Sequence, residues 1–339
     1  MEKVMDRKGF LTSVAAASAA ASTLPRAARA QQATFTIGSV MDPTICTPLL
    51  VAQDKGLFKK HDVPATVKLF SSGAVITQAI SGKSLEFGAT GGVPGTLLAG
   101  HQVGVRMIAR VSDISWELAL MALPKSGIKS PADVAGKTIG MTNGTVSQYL
   151  VLAFAEHWGV PISSIKLVNL GPSDQVNALA TGKIDVASLW LPFTTRAEEA
   201  GAVPLETALR SNFPGKAGAV KLVGDPGILF GTNDFLNKNP DVTVRMLQAV
   251  YEAEQWMSTH QAEAATIAES HLNVSAKSLE DNFKHAQISM NFDQDLVDEL
   301  RNEWGFLQKQ GVIASPFTAE GWIDPTFMRR AESKMVSVK

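Results

Sequence analysis

The chain has 339 residues, with 31 basic side chains against 32 acidic ones and a single cysteine. At about 100–200 residues per domain that length suits two lobes. A near-neutral balance without a basic run gives no footprint for nucleic acid or anionic lipid, and one cysteine allows no intramolecular disulfide.

The first thirty residues differ from the rest. Lys3, Arg7 and Lys8 make a cationic start, Gly9 to Leu24 is uncharged and Ala-rich, and Ala28-Arg29-Ala30 follows. This is the layout of a secretory signal, with cleavage expected after Ala30. The apolar stretch falls short of the roughly 20 strongly apolar residues of a membrane span, and no later stretch reaches that length. Asp6-Arg7-Lys8-Gly9-Phe10-Leu11 is similar to a twin-arginine motif with Lys in place of the second Arg, so the export route stays open. Cys46 lies well past the cleavage site with no lipobox before it, which predicts an unanchored protein in which Cys46 is a small buried hydrophobe. Cleavage removes five basic and two acidic residues and leaves a charge of 26 minus 30, or −4. A free exported protein needs a compartment that retains it, and the Gram-negative periplasm is the expected one.

Strand-like and helix-like stretches then alternate, which predicts α/β layering. Strands are expected at Thr34–Val40, Thr66–Phe70, Leu85–Ala89 and Val105–Val111, with helices at Pro48–Lys60 and from Gly73 to Ile80. The pattern restarts with strands at Trp116–Leu123, Thr138–Met141, Ile165–Asn169 and Ile184–Leu189. Helices fall at Thr145–Trp158 and Asp174–Ala180. Beyond Asn233 the chain reads as helical, with a start at Asn239-Pro240-Asp241 and a helix at Leu296–Lys309 closed by Gly311. There is an internal echo. Gln78-Ala79-Ile80-Ser81-Gly82-Lys83 before Leu85-Glu86-Phe87 matches Asn177 to Lys183 before Ile184-Asp185-Val186, with Ser84 as an extra residue. Two lobes built on one plan and facing each other across a cleft is the simplest reading.

Several motifs in fixed order carry a family resemblance. They are Ala52-x-Asp54-Lys55-Gly56-Leu57-Phe58-Lys59-Lys60-His61, Ser71-Ser72-Gly73, Ser81-Gly82-Lys83 and Gly91-Gly92-x-Pro94. Ile128 to Gly140, Gly182-Lys183-Ile184-Asp185 and Trp190-x-Pro192 follow. From about Thr34 to Phe235 this set resembles the nitrate/sulfonate/taurine-type substrate-binding proteins of ABC importers, a group that includes thiamine-precursor binders. The resemblance implies a type II periplasmic-binding-protein fold with the ligand in a cleft between lobes. It implies lobe 1 from 31–115 plus 228–339 and lobe 2 from 116–227, with crossings near Val111–Glu117 and Val223–Phe230. It also implies a monomer that takes a small-molecule ligand, needs no cofactor or metal, and delivers to an inner-membrane permease.

In such a layout the loops after strands meet helix N-termini, where backbone N–H groups and the helix dipole favour an anion. Three loops fit: Ser71-Ser72-Gly73, Thr90-Gly91-Gly92, and Asn143-Gly144-Thr145 with Ser147. Each also reads as plain helix capping. By the echo, Trp190 faces Thr90-Gly91-Gly92 and can pack on an organic part of the ligand, or simply on the core under Pro192-Phe193. Many relatives that bind a ligand amino group carry an acid between the Trp and the Pro; here it is Leu191, which weakens a taurine assignment. Met41 and Asp42 can line the cleft, though Asp42 also suits the turn with Pro43. Trp116 can flank the ligand or pack the hinge. Asp225-Pro226-Gly227 reads as turn chemistry of the second crossing, and Glu86 and Asp185 as structural. The expected ligand is a small organic anion, a sulfonate first, with a thiamine-precursor-like heterocycle or aromatic carboxylate as the alternative. An enzyme like the thiamine-pyrimidine synthases needs a Cys-rich iron motif that one cysteine cannot supply, and the sequence has no G-x-S-x-G elbow, P-loop or Cys/His metal pattern. A ligand-sensing partner of a membrane kinase is the third reading.

Overall fold

The computed structural model describes residues 34–316 and 318–338, so the expected export segment lies outside the described residues. Thirteen strands are described: β1 Phe35–Val40, β2 Ala65–Phe70, β3 Phe87–Gly91, β4 Val105–Asp113, β5 Ala119–Ala122, β6 Thr138–Met141, β7 Lys166–Asn169, β8 Val186–Leu189, β9 Val203–Thr207, β10 Arg210–Ser211, β11 Gly218–Ala219, β12 Pro226–Thr232 and β13 Gln287–Ile288. They form two mixed sheets, ordered β13-β4-β12-β3-β1-β2 and β11-β10-β9-β5-β8-β6-β7.

The internal echo is a repeated topology. β2-β1-β3 and β7-β6-β8 are each three parallel strands with the first in the middle, and each is followed by one antiparallel strand, β12 or β5. Registers superpose: Gly38 opposes Gly88 as Gly140 opposes Ala187. The contacts repeat too. A Cβ on Gly38 would lie 2.7 Å from Leu85 Cδ1, and one on Gly140 would lie 2.7 Å from Ile184 Cδ1. Leu85 therefore matches Ile184, and the extra Ser84 of the sequence comparison disappears. The reason is the turn. The left-handed position belongs to Lys83 (φ 58) in the first copy and to Gly182 (φ 70) in the second, so aligning the two Gly-Lys pairs displaces one turn by a residue.

The second sheet takes all its strands from Ala119 to Ala219, and the first takes its strands from either side. The chain therefore passes between sheets twice, after β4 and before β12, and the two passes are bonded to each other. Ile114 N–H donates to the Asp225 carbonyl (3.1 Å), Asp225 N–H donates to Ser115 Oγ (2.9 Å), and Ser115 Oγ donates to Asp113 Oδ1 (2.6 Å).

Several expectations shift. The first helix runs Pro43–Asp54, earlier than Pro48, because Asp42 caps it and Pro43 occupies its first turn. Gly56, at φ 70, ends that run and leaves Leu57–Lys60 as a separate turn of helix. Strand β3 begins at Phe87, not Leu85, and Trp116 sits in a 3-10 turn, Ser115–Glu117, ahead of the short β5. The largest difference is at Val223–Phe230, read as a crossing. Most of it is strand β12, which lies between β3 and β4 in the middle of the first sheet. Beyond it the chain is mostly helical as expected, with helices Pro240–Met257, Gln261–Leu272, Ala276–His285 and Gln294–Lys309.

β12 packs against β3 at a glycine. A Cβ on Gly88 would lie 2.6 Å from Phe230 Cζ and 2.9 Å from Ile76 Cγ2, both fully buried. Gly88→Ala should cost about 1–3 kcal/mol by overpacking. Urea denaturation of the variant should show a lower midpoint with an unchanged slope.

Candidate functional site

The ends of the repeated strands converge on one small cavity of about 20 Å³, lined by Val40, Asp42, Ile45, Gly73, Gly91, Pro94, Ile114, Thr145, Val146 and Trp190. Its walls come in matched pairs. Asp42 caps the helix after β1 as Thr145 caps the helix after β6. Carrying the β3/β8 register forward places Gly91 and Trp190 at the same point past their strands. The cavity thus sits where the two copies meet, between the carboxyl ends of parallel strands from both sheets. Its volume is about that of one water, so anything larger enters only if the sheets part. A larger groove of about 470 Å³ runs past Lys83, Glu86, Asp234 and Lys238. It lies at the opposite ends of β3 and β4, away from the strand ends where open α/β sheets bind ligands, so the smaller cavity is the better candidate.

Of the residues expected in the cleft, Asp42, Gly73, Gly91, Thr145 and Trp190 line this cavity. Others are committed elsewhere. Ser147 donates to the Ser188 carbonyl (2.7 Å) and accepts from Thr142 N–H (3.1 Å), which ties the helix after β6 to β8. Thr90 Oγ1 donates to the Gly91 carbonyl (2.7 Å). Asn143 is exposed, its N–H donates to Asn169 Oδ1 (3.0 Å), and Gly144 N–H donates to Gln148 Oε1 (2.9 Å). Ser71 is exposed, Ser72 is buried but makes no side-chain cap, and Met41 packs against the core. Trp116 is half-buried near the crossing, 6.4 Å from the His285 ring.

The glycine loop holds an acidic group, and that group is internal. Gly92 N–H donates to Asp225 Oδ1 at 2.6 Å, a Cβ on Gly91 would collide with Asp225, and one on Gly92 would collide with Glu303. Asp225, read in the sequence as turn chemistry, thus fills the helix start at Gly92 from the second crossing. Of the helix starts at residues 43, 73, 92 and 146, only that at Gly73 has neither a side-chain cap nor an internal carboxylate.

Of the cavity residues, Trp190 carries a buried polar atom without a hydrogen-bond partner, its Nε1 donor, and Asp42 carries one, its Oδ2 acceptor, that the protonated Glu117 carboxyl faces. Asp42 Oδ1 is already used, accepting from Thr44 N–H (2.8 Å), Thr44 Oγ1 (2.8 Å) and Ile45 N–H (3.2 Å). Trp190 is 3% exposed and packs edge-on against Phe193, with centroids 5.8 Å apart. It is at once a core residue and a cavity wall.

Behind the cavity lies a set of buried acids that sequence reasoning missed, because they come from four distant segments. Glu117 and Asp225 are pushed well up from the carboxylate range by burial first, and then by Asp42 for Glu117 and by Glu303 for Asp225. Glu303, against Asp225 and Thr96, is raised to about 8 by burial. None of the ten lining residues is basic. Cys46 is fully buried nearby, and burial together with Asp42 pushes its thiol up. It is an inert side chain rather than a nucleophile.

The two-sheet arrangement, with its repeated units and its cavity between strand ends, is that of the type II periplasmic binding proteins. The alkanesulfonate-binding protein SsuA from Xanthomonas axonopodis pv. citri, solved with MOPS bound, superposes with a TM-score of 0.71 at 16% identity, over 86% of this chain and 99% of that one. The desulfurization enzyme DSZB has the same fold, with a TM-score of 0.65 at 16% identity over 88% and 99%. In sequence, the taurine-binding periplasmic protein of Escherichia coli (strain K12) is 30% identical over 214 residues, 62% of this chain and 63% of that one. The NMT1/THI5 like family model matches residues 44–264, and the chain belongs to that family. No helix among the described residues is long and apolar enough to cross a membrane.

The buried acids fix a direction of pH dependence. Glu303 titrates near 8 when folded but near ~4.3 when unfolded. The folded state therefore keeps a proton that the unfolded state has lost. Stability from this group is complete below about pH 4.3 and is lost as pH rises through 8. Glu206 and Glu254, each raised to about 7, act in the same sense. Thermal melts should show the ligand-free protein less stable at pH 8 than at pH 5, and Glu303→Gln should flatten that fall.

Proposed function

We propose that this chain is the extracytoplasmic solute-binding component of an ABC importer, and that it captures a small organic anion, with a sulfonate favoured. The observation that carries the reading is the shared cavity, walled by matched loop ends of both sheets beside two bonded chain crossings. Such crossings form a hinge, and a ligand that contacts both walls selects the closed state. Residues 31–115 with 228–339 form one lobe in this reading and 116–227 the other, although β12 draws Pro226 and Gly227 into the first sheet. The anion sits at the uncapped helix start of Gly73 and accepts from Trp190 Nε1, and the indole covers its organic part. Thr145 and Val146 complete the opposite wall.

The protein is exported, trimmed after about Ala30, retained in the periplasm as a monomer, and recognised in its closed form by an inner-membrane permease. Binding without chemistry is favoured over catalysis of the kind the desulfurization enzyme performs. The sole cysteine is sealed in the core with its thiol protonated.

Calorimetry against sulfonates, carboxylates, nitrate and thiamine precursors tests this directly. Heat from a sulfonate supports the reading; silence from every anion with tight binding of a neutral heterocycle overturns its anion part. Trp190→Ala should weaken binding by more than ~1 kcal/mol while the circular dichroism spectrum is preserved. Unchanged affinity in a folded variant would leave Trp190 a packing residue only.

A further inference from the structure

We infer that Asp42 and Glu117 form a proton-held latch between the two sheets, so that closing the cleft takes up a proton and capture weakens as pH rises. The inference rests on the two sheets being lobes that part around the ligand, as proposed above, and adds a regulation to that site.

The first observation is placement. Asp42 stands on the first-sheet wall of the cavity, at the cap of the helix after β1. Glu117 ends the 3-10 turn through which the outgoing crossing enters the second sheet, just ahead of β5. A bond between these two carboxyl groups therefore spans the junction at which the lobes turn. The second observation is the contact itself. Asp42 Oδ1 is taken by Thr44 and Ile45, which leaves Oδ2 facing Glu117, and neither Glu117 oxygen has another partner. Two carboxyl groups bond to each other only through a proton, and burial first, then Asp42, holds that proton on Glu117. The third is isolation from counter-charge. Asp42 is 1% exposed and Glu117 5%. The groups that face Glu117 from neighbouring elements are Asp113 at the end of β4, Asp225 in the returning crossing and Cys46 in the helix after β1. Beyond them Glu303 faces Asp225, Arg110 is paired with Glu299 at 2.7 Å, and the His285 ring lies 6.4 Å from that of Trp116. Lys, Arg and His are absent from the cavity lining, so the proton has no substitute there.

Parting the sheets separates the pair and admits water to both carboxyl groups. Glu117 then returns toward the ordinary value of about 4.3 and gives up its proton near neutral pH. Because Glu117 titrates higher in the closed form than in the open one, the latch is complete below the open-form value and is lost as pH rises through the closed-form value. An anion in the cavity acts in the same direction, since it opposes a second negative charge beside Asp42. Closure, ligand and proton thus favour one another.

Small-angle X-ray scattering of the ligand-free protein reads the latch without any ligand. The radius of gyration should be smaller at pH 5 than at pH 8. Glu117→Gln, which offers Asp42 an N–H donor at every pH, should hold the smaller radius at both, whereas Glu303→Gln should keep the wild-type difference. Equal wild-type radii, or an undiminished difference in folded Glu117→Gln, overturn the latch. Calorimetry with propane-1-sulfonate, in phosphate because several common buffers are themselves sulfonates, reads the coupling. Its dissociation constant should rise by more than about tenfold from pH 6 to pH 8 in the wild type and by less than about twofold in Glu117→Gln. A wild-type affinity independent of pH overturns the latch. Silence from propane-1-sulfonate overturns the sulfonate reading, and the scattering comparison then decides the latch by itself. The wild-type measurements need no variant, so a failure of Glu117→Gln to fold does not remove the test.

Discussion

The Gly92 N–H to Asp225 Oδ1 hydrogen bond, at 2.6 Å, is the constraint on which the site depends. It joins the helix start after β3 to the chain as it returns from the second sheet, and the Asp225 backbone N–H continues the link to Ser115 in the outgoing pass. Glycines at 91 and 92 are required because the carboxyl groups of Asp225 and Glu303 occupy the space a side chain would take. The same contact removes that helix start from the list of ligand anchors and leaves Gly73 as the open one. It also places Asp225 beside Glu303 in a water-poor setting where two negative charges cannot coexist cheaply, so the pair is held by a proton. The geometry of the cleft and the choice of anchor thus follow from one buried acid.

Most of the architecture was legible because it is local. β1, β2, β6 and β7, and the helices from Gly73 and Val146, fall where alternation and capping residues place them. The repeated plan was visible through the match between residues 78–87 and 177–186, although its register was off by one. Composition sees glycine as the turn residue, whereas backbone geometry gave that position to Lys83. β12 was misread for a related reason. Asp225-Pro226-Gly227 is turn chemistry by itself, and only pairing with β3 and β4, more than a hundred residues upstream, makes it a strand.

The site was half legible. Asp42, Gly73, Gly91, Thr145 and Trp190 were selected on local grounds and meet at one cavity, while Ser147 and Gly92, selected on the same grounds, are bonded internally. No local signal separates these outcomes, because a hydroxyl or a glycine N–H at a helix start serves a ligand or the fold equally well. The acid set was illegible. Asp42, Glu117, Asp225 and Glu303 are far apart in the chain, and each reads alone as a solvated or capping carboxylate.

The central place of β12 has a bearing on biogenesis. A chain emerging from its N-terminus has β1 to β4 available by residue 113, yet β3 and β4 do not pair with each other. The strand that joins them arrives only with residues 226–232, after every strand of the second sheet. The second sheet can therefore mature first from contiguous chain, while the first stays split with two open edges until the chain has come back. Loop closure over such a distance is slow, and the half-built intermediate exposes the surfaces on which a chaperone or a wrong neighbour would act.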